Sequence, residues 1–226
     1  MTFSLWQTLR RGLRTAGGRA AALWLLQALL RRLLPRLGLV CYCCVAQPVP
    51  ASAPPGKERG QQYAFRLMSR YEPVLQALPR PTPVLQQRFE QGAQCLLATR
   101  GQVLAGCIWL ARGCYAEDTV QVDYLLPADC AWDFDVYVAP SERLGVLFAR
   151  QWQVALALLR QSGTRFSLSR IDLLNQASLS AHARLGSITL GWAVFVRLPY
   201  RQLMVSSLRP YVAWGGRPQL YLRVAR

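Results

Sequence analysis

One histidine lies in a segment whose spacing could place it at a reaction centre. The segment 175–186 reads NQASLSAHARLG and contains His182, the only histidine of the 226-residue chain. Asn175 and Gly186 bracket a run typical of a short helix, because Asn favours a helix start and Gly a helix end. An imidazole with an ordinary pKa near ~6.5 can donate a proton at neutral pH. His182 is therefore either a catalytic acid or an ordinary residue that covers an apolar cluster or faces solvent.

Two carboxylates form a second candidate group. Asp133 and Asp135 lie in AWDFDVYVAP, where polar and apolar residues alternate as in a strand that ends at Pro140. Residues two apart in a strand point to the same face, so both carboxylates are expected to border one site. Either could act as a general base. The alternative is that one of them pairs with an arginine, such as Arg170 on the next strand.

The turn after this strand has the composition of an anion site. APSERLGV, residues 139–146, leads into VLFARQWQVALALLRQSG, which has the apolar stripe of a long helix. Backbone N–H groups at a helix start, with Arg143 beside them, would hold a phosphate or pyrophosphate. Gly145 is the single glycine of this turn. Many strand-to-helix turns contain Gly and Arg, so the turn alone does not identify the ligand.

The surrounding pattern predicts the fold class. Strand-like segments alternate with two short proline-punctuated helices, a hairpin at Arg100-Gly101, the long helix and the short helix that carries His182. A strand-helix-strand succession requires a parallel pair, whereas hairpins require antiparallel pairs. We therefore expect an α/β fold with a mixed sheet that contains a parallel strand pair.

The order of these elements, together with their residues, resembles the GNAT family of acetyl-CoA-dependent N-acyltransferases over roughly residues 63–207. In that family a run similar to V-x-V-x-P-x-x-R-G-x-G holds the coenzyme pyrophosphate. It is matched here by Val136, Val138, Pro140, Arg143 and Gly145.

A second family motif, similar to N-x-x-A-x-x-x-Y-x-x-x-G, lies beside the pantetheine and the sulfur. Asn175 and Gly186 match it, and Ser178 occupies the position of a small residue. His182 stands where the family usually has tyrosine. The turn also departs from the family pattern, because it has one glycine where relatives often have two or three.

The resemblance implies a GNAT-like α/β fold with a mixed, mostly antiparallel central sheet, helices on both faces and one parallel strand pair that splays apart. It implies acetyl-CoA as cosubstrate and no metal. It implies direct attack of a primary amine on the thioester, with Asp135 or Asp133 as base and His182 as acid toward the departing thiolate. A backbone N–H near Val138 would meet the oxyanion. The implied coenzyme-binding residues are Val136, Val138, Arg143, Leu144, Gly145, Val146, Asn175 and Ser178.

The acceptor is predicted only as a small-molecule amine, such as an amino sugar or another envelope-related compound. The alternative function is a catalytically inactive acyl-CoA-binding or membrane-associated scaffold of the same fold. A nucleic-acid partner is not expected, although the net charge is +16, because the basic excess is concentrated in an amphipathic segment beside an apolar one. The oligomeric state is left open.

The chain divides into three predicted parts. Residues 1–36 are expected to form a basic amphipathic and apolar helical leader, 37–62 an edge strand and a Pro-rich linker, and 63–226 a GNAT-like domain with extra C-terminal strands. No Asp or Glu precedes Glu58. The leader is too short in its apolar part to span a bilayer. It would either lie on an anionic membrane surface or pack on the domain as a helical hairpin.

The cysteines predict a reducing compartment. The seven cysteines form no CxxC pair and only one histidine is available, so a zinc site is not expected. Cysteines scattered through apolar stretches are typical of small buried residues in a cytoplasmic protein. The predicted location is the cytoplasm, with a peripheral position on the inner face of the membrane if the leader binds lipid.

Overall fold

The computed structural model describes residues 37–52 and 59–224. The helical leader predicted for residues 1–36 and part of the predicted linker lie outside the described residues. The elements in chain order are β1 (Gly38–Pro48), β2 (Tyr63–Met68), a 3-10 helix (Pro73–Ala77), α1 (Thr82–Glu90), β3 (Gln94–Arg100), β4 (Val103–Ala111), β5 (Cys114–Ala116), β6 (Asp123–Leu125), β7 (Cys130–Val138), a 3-10 helix (Pro140–Glu142), α2 (Leu147–Gln161), β8 (Phe166–Asp172), α3 (Gln176–Arg184), β9 (Ile188–Arg197), β10 (Gln202–Ser206), β11 (Val212–Trp214) and β12 (Gln219–Tyr221).

The large sheet has the strand order β11-β10-β9-β1-β8-β7-β4-β3-β2. Among its described pairs, β7 and β8 run parallel and the others run antiparallel. The predicted mixed, mostly antiparallel sheet with a parallel pair is therefore confirmed. A smaller sheet, in the order β12-β6-β5, comes from the segment before β7 and the C-terminal tail.

Strand β1 lies inside the large sheet and not at its edge. It pairs antiparallel with β8 on one side and with β9 on the other, so that Cys44 is opposite both Arg170 and Gly191. The prediction of an edge strand in this segment is wrong. LVCYCCVA is apolar on both faces, as suits a strand with neighbours on both sides and packing above and below. The sheet thus joins β1 to the strands that follow the linker.

Helices cover both faces of the sheet, as predicted. On one face, called here the α2 face, Trp152 and Ala155 of α2 pack against Ile108 and Ala131. On the other, the α1 face, Leu85 of α1 belongs to the main core. The small sheet covers the α1 face as well, through buried side chains of its three strands: Tyr115, Tyr124 and Leu220.

A buried glutamine holds α2 to the sheet. The Gln151 side-chain nitrogen donates to the Cys107 carbonyl at 3.3 Å and to the Tyr137 carbonyl at 3.4 Å. Gly106 makes this close approach possible, because a Cβ at that position would collide with the Gln151 side chain. Since Cys107 belongs to β4 and Tyr137 to β7, this contact holds α2 against both strands, next to the predicted site residues of β7. None of the helices in the described ranges is both long and apolar enough to cross a bilayer.

Candidate functional site

The two parallel strands separate after three residue pairs. Cys130–Trp132 of β7 are opposite Phe166–Leu168 of β8, and the described register stops there. Strand β7 nevertheless continues to Val138 and β8 to Asp172. We call the gap between residues 133–138 and 169–172 the wedge. Because the other edges of both strands are paired with β4 and β1, the unpaired backbone groups along the wedge are available to a ligand with amide groups.

A β-bulge in β7 lies on the edge of the wedge. Cys107 is opposite Tyr137 and Trp109 is opposite Phe134, so that Asp135 and Val136 together face one residue of β4. Asp135 has a φ of 47°, a value that non-glycine residues seldom adopt. An extra residue of this kind bends the strand and reverses the facing of the side chains that follow.

The bulge places the two candidate carboxylates on opposite faces of the sheet. Asp133 contacts Ser167 of β8, which is opposite Ala131 on the α2 face. Asp135 instead contacts Arg88 of α1. The prediction that both carboxylates share a face is therefore wrong, because the inserted residue interrupts the two-residue period on which it rested.

Asp135 is held by two guanidinium groups. Arg80 donates to its carboxylate at 2.8 and 2.9 Å, and Arg88 donates at 2.7 Å. Burial acts to raise the pKa of Asp135, but the hydrogen bond from Arg80 and the charge of Arg88 outweigh it and hold the pKa below its ordinary value. A carboxylate with a depressed pKa and two ionic partners is a poor proton acceptor. Asp135 thus has the environment of a structural ion pair.

Arg88 connects this ion pair to the core. Its side chain is 2% exposed, donates to Asp118 at 2.6 Å and lies over the rings of Trp109 and Phe134. Arg88 is not recognisable from the sequence, because an arginine in QQRFEQ looks like a solvated position of an amphipathic helix. The alternative that one of the two carboxylates pairs with an arginine is confirmed for Asp135, but its partners are Arg80 and Arg88 and not Arg170. Arg170 pairs with Glu117, at 2.6 and 3.1 Å.

Replacing Arg88 with Met should destabilise the fold by about 3–5 kcal/mol, because it leaves Asp118 and Asp135 without their buried counterion. Urea unfolding measures the change. The matched variant Arg66→Met removes an exposed ion pair with Glu72 and should change the midpoint little. Equal effects of the two substitutions would show that the Arg88 pairs do not stabilise the native sheet.

Asp133 has the opposite environment. It is 1% exposed, and its carboxylate accepts a hydrogen bond from the Ser167 hydroxyl at 2.6 Å. No cation of the described ranges lies within ion-pair distance of it. Burial raises the pKa of Asp133 to about 7, against the smaller opposing effect of the Ser167 hydrogen bond. A carboxyl group with this pKa, at the first residue beyond the last β7–β8 pair, is suited to accept a proton near neutral pH.

The raised pKa of Asp133 makes the folded protein hold a proton that the unfolded chain has lost. Above the ordinary pKa of 3.8, the unfolded state binds fewer protons at this site, so its contribution to stability falls as pH rises toward 7. Asp133→Asn cannot ionise, and we expect it to gain stability relative to the parent protein, on the order of 4 kcal/mol, between about pH 4 and about pH 8. Denaturant unfolding of both proteins across this range measures the difference. A difference independent of pH would contradict the raised pKa.

Further buried polar groups lie on the α2 face near Asp133. Gln47 of β1 is opposite Ser167, and Ser169 follows two residues later on β8. Within the described part of the chain, the Gln47 side-chain oxygen has no hydrogen-bond partner, while the Ser169 hydroxyl acts with Ser167 to lower the pKa of Asp133 against the larger effect of burial. Buried polar atoms without a partner are uncommon in native proteins and often contact water or a ligand.

His182 lies on α3 and faces α2. It is 5% exposed, and its ring meets the Trp152 ring edge to face at 5.5 Å between centroids. Its Nδ1 has no partner among the described residues, and burial lowers the pKa of the imidazole. The ring is therefore neutral at neutral pH, and the ordinary pKa behind the predicted acid role does not apply. The acid role stays a prediction.

Two groups of the predicted phosphate-binding turn already form hydrogen bonds with neighbouring backbone carbonyls. The Gly145 N–H donates to the Glu142 carbonyl at 3.0 Å, and the Arg143 Nε donates to the Val138 carbonyl at 3.3 Å. The first N–H groups of α2 have no acceptor within their own helix, as at every α-helix start. Leu144 is fully exposed beside them. The free donors of this turn are thus those at the start of α2, after Val146.

A carboxylate close to this turn is held by groups from two other strands. Glu142 accepts a hydrogen bond from the Tyr63 hydroxyl at 2.6 Å and pairs with Arg100 at 3.3 Å. The hydrogen bond from Tyr63 and the contact with Arg100 lower the pKa of Glu142. These contacts fix the backbone that leads into α2. No local sequence signal points to them, because both partners lie far from residue 142 in the chain.

The remaining predicted coenzyme residues have structural contacts. Val136 and Val138 pack toward α2. The Asn175 side-chain oxygen accepts from the Ser178 N–H at 3.1 Å and so caps α3. Their roles toward a coenzyme stay predictions. Among the described residues, no group of three or more His, Cys, Asp or Glu side chains has the arrangement of a metal site.

Comparison with known proteins supports the fold. No protein-family model matches the sequence, and no curated protein matches it. Among solved structures, a tandem GNAT protein from the clavulanic acid biosynthesis pathway is similar over 76% of this chain and 58% of that chain, with 11% identity and a TM-score of 0.53. A Drosophila protein is similar over 72% of this chain and 52% of that chain, with 13% identity and a TM-score of 0.52.

A GCN5-related N-acetyltransferase from Sphaerobacter thermophilus is also similar, over 78% of this chain and 55% of that chain, with 17% identity and a TM-score of 0.45. This chain spans little more than half the length of each of these proteins. The likeness to the tandem GNAT protein, together with the parallel pair that splays open, defines the fold. The chain has a GNAT fold.

Proposed function

We propose that this protein is an acyl-CoA-dependent N-acyltransferase that transfers an acetyl group from acetyl-CoA to a primary amine. The observation that carries the proposal is the wedge, which opens at Asp133 and leads toward the start of α2. It combines a peptide-like binding edge, an anion-binding helix start and a buried carboxyl group with a pKa of about 7. These are the parts that an acyl transfer from a phosphorylated thioester requires.

The chain's own groups fit the coenzyme in two places. The amides of the pantetheine arm would bind the unpaired backbone of β7 and β8, which presents donors and acceptors like a sheet edge. The pyrophosphate would bind the free N–H groups at the start of α2, where the helix dipole favours negative charge, with Arg143 beside them. Leu144 and Val146 would border this position, while Asn175 and Ser178 would act from the start of α3.

The reaction then needs one proton acceptor before the bond-forming step. Asp133 takes the proton of the ammonium group through a water molecule, and the free amine attacks the thioester carbonyl. The C–N bond forms, the C–S bond breaks, and the thiolate leaves and takes up a proton. A backbone N–H near Val138 supports the oxyanion. His182 is proposed to donate a hydrogen bond from its neutral imidazole to the departing sulfur, and the proton that the thiolate takes up comes from water.

The proposed acceptor is a small-molecule amine, such as an amino sugar of the cell envelope. A basic and apolar leader would hold the enzyme near such substrates. The proposed location is the cytoplasm, because the cysteines of the described ranges are all free and mostly buried, as suits a reducing compartment. These assignments rest on the acyltransferase proposal.

The test is thioester turnover with a panel of primary amines, followed by release of free thiol. Asp133→Asn should lower kcat by ~100-fold or more and remove the rise in rate that the parent protein shows as pH passes about 7. Asp129→Asn is the matched control, since that carboxylate lies just before β7, is 42% exposed and pairs with Arg165. It should retain the parent activity and pH profile.

Calorimetric titration with acetyl-CoA separates catalysis from binding. The acyltransferase proposal predicts that both Asp133→Asn and the parent protein bind the coenzyme. If the parent protein binds acetyl-CoA but turns it over no faster than Asp133→Asn with any amine, that result would contradict catalysis and favour a catalytically inactive acyl-CoA-binding scaffold. Two observations favour this second candidate. Burial lowers the pKa of His182, so its imidazole is neutral, and the Gly145 N–H donates to the Glu142 carbonyl.

A further inference from the structure

The far half of the large sheet presents an apolar surface that no described element covers. Trp192 of β9, Val205 of β10, and Val212 and Trp214 of β11 are 44%, 36%, 62% and 56% exposed. We call these four residues the aromatic stripe. Large apolar side chains grouped in this way are uncommon on a monomeric protein and mark contact surfaces.

The register places the aromatic stripe on one face. Val205 is opposite Val212 on one side and Val194 on the other, and directly opposed residues share a face. Trp192 is two residues before Val194, and Trp214 is two residues after Val212, so both lie on that face as well. Since Ala193 and Phe195 point into the core of the α1 face, the stripe lies on the α2 face.

The charges around the aromatic stripe have one sign. The chain has no Asp or Glu after Asp172. Arg201 lies exposed in the turn after β9, and a Cβ at Gly215 would be 3.8 Å from its guanidinium. Arg197, two residues after Phe195, lies on the opposite face. Gly215 follows Trp214, so a cation lies directly beside the stripe. In the described part of the chain, no carboxylate pairs with Arg197 or Arg201.

The positive charge beside the aromatic stripe indicates what kind of partner the stripe binds. A second copy of the chain would bring two copies of Arg201 together without a carboxylate between them, because no Asp or Glu follows Asp172. The segment 1–36 is basic and free of Asp and Glu, so its sequence offers no charge complementary to Arg201. Tryptophan side chains favour the interface between water and lipid, and arginine binds phosphate oxygens of headgroups. We propose that the aromatic stripe docks on an anionic lipid bilayer, independently of the leader.

A fluorescent probe on the stripe tests this in the full chain. Val212→Cys, in a Cys114→Ser background that removes the exposed thiol of the described residues, would carry an environment-sensitive dye. Vesicles of phosphatidylglycerol and phosphatidylcholine should shift its emission to the blue, and a spin-labelled lipid should quench it. Pure phosphatidylcholine should have little effect. Val103→Cys is the matched control, a valine 71% exposed at the opposite end of the sheet, and its label should not respond.

Three outcomes would overturn the proposal. If the protein binds the vesicles but the emission of the dye at position 212 does not change, the leader alone accounts for binding. A label already in an apolar environment before lipid is added would show that the leader, a second copy or another protein covers the stripe. Absence of vesicle binding would exclude a lipid partner. In support, the double variant Trp192→Ser/Trp214→Ser should weaken vesicle partitioning by about tenfold, measured at a temperature at which both proteins are folded.

Discussion

The separation of β7 from β8 after Trp132 is the constraint on which the rest of the site depends. A parallel pair that stayed hydrogen bonded over its full length would leave no backbone donors or acceptors for a ligand. The bulge at Asp135 bends β7 next to the opening, and Gln151 binds the Tyr137 carbonyl just beyond it. The ion pair of Asp135 with Arg88 holds the bulged residue on the opposite face. The wedge is thus fixed by contacts on both sides of the sheet.

The same bulge gives two neighbouring carboxylates different chemistry. Asp135 turns toward guanidinium groups and stays ionised, whereas Asp133 remains on the α2 face among hydroxyl groups and has a pKa of about 7. Two titratable groups whose environments move their pKa values apart are typical of sites that separate a structural charge from a proton acceptor. One inserted residue in β7 is sufficient for this difference, because it turns the Asp135 side chain to the face opposite Asp133.

The sequence predicted those features that depend on local periodicity. The stripe of apolar residues in α2 and the alternation in β7 gave the strand-helix-strand unit, and this unit requires the parallel pair. The bulge could not be predicted in this way, since Asp135 continues the alternation and no glycine or proline marks it. The position of β1 and the burial of Arg88 could not be predicted either, because each depends on residues distant in the chain. Strand β1 is placed by its pairing with β8 and β9, and Arg88 is held by the carboxylates of Asp118 and Asp135.

The central claim is that the wedge and the start of α2 bind an acyl-CoA. Hydrogen exchange of the full chain, with and without acetyl-CoA, addresses it at the level of single peptides. The account predicts slower exchange of backbone amides in residues 133–138 and 146–149, with no change in the hairpin of β3 and β4. Bound acetyl-CoA that leaves exchange in both of these segments unchanged, or that protects a different part of the sheet, would contradict it.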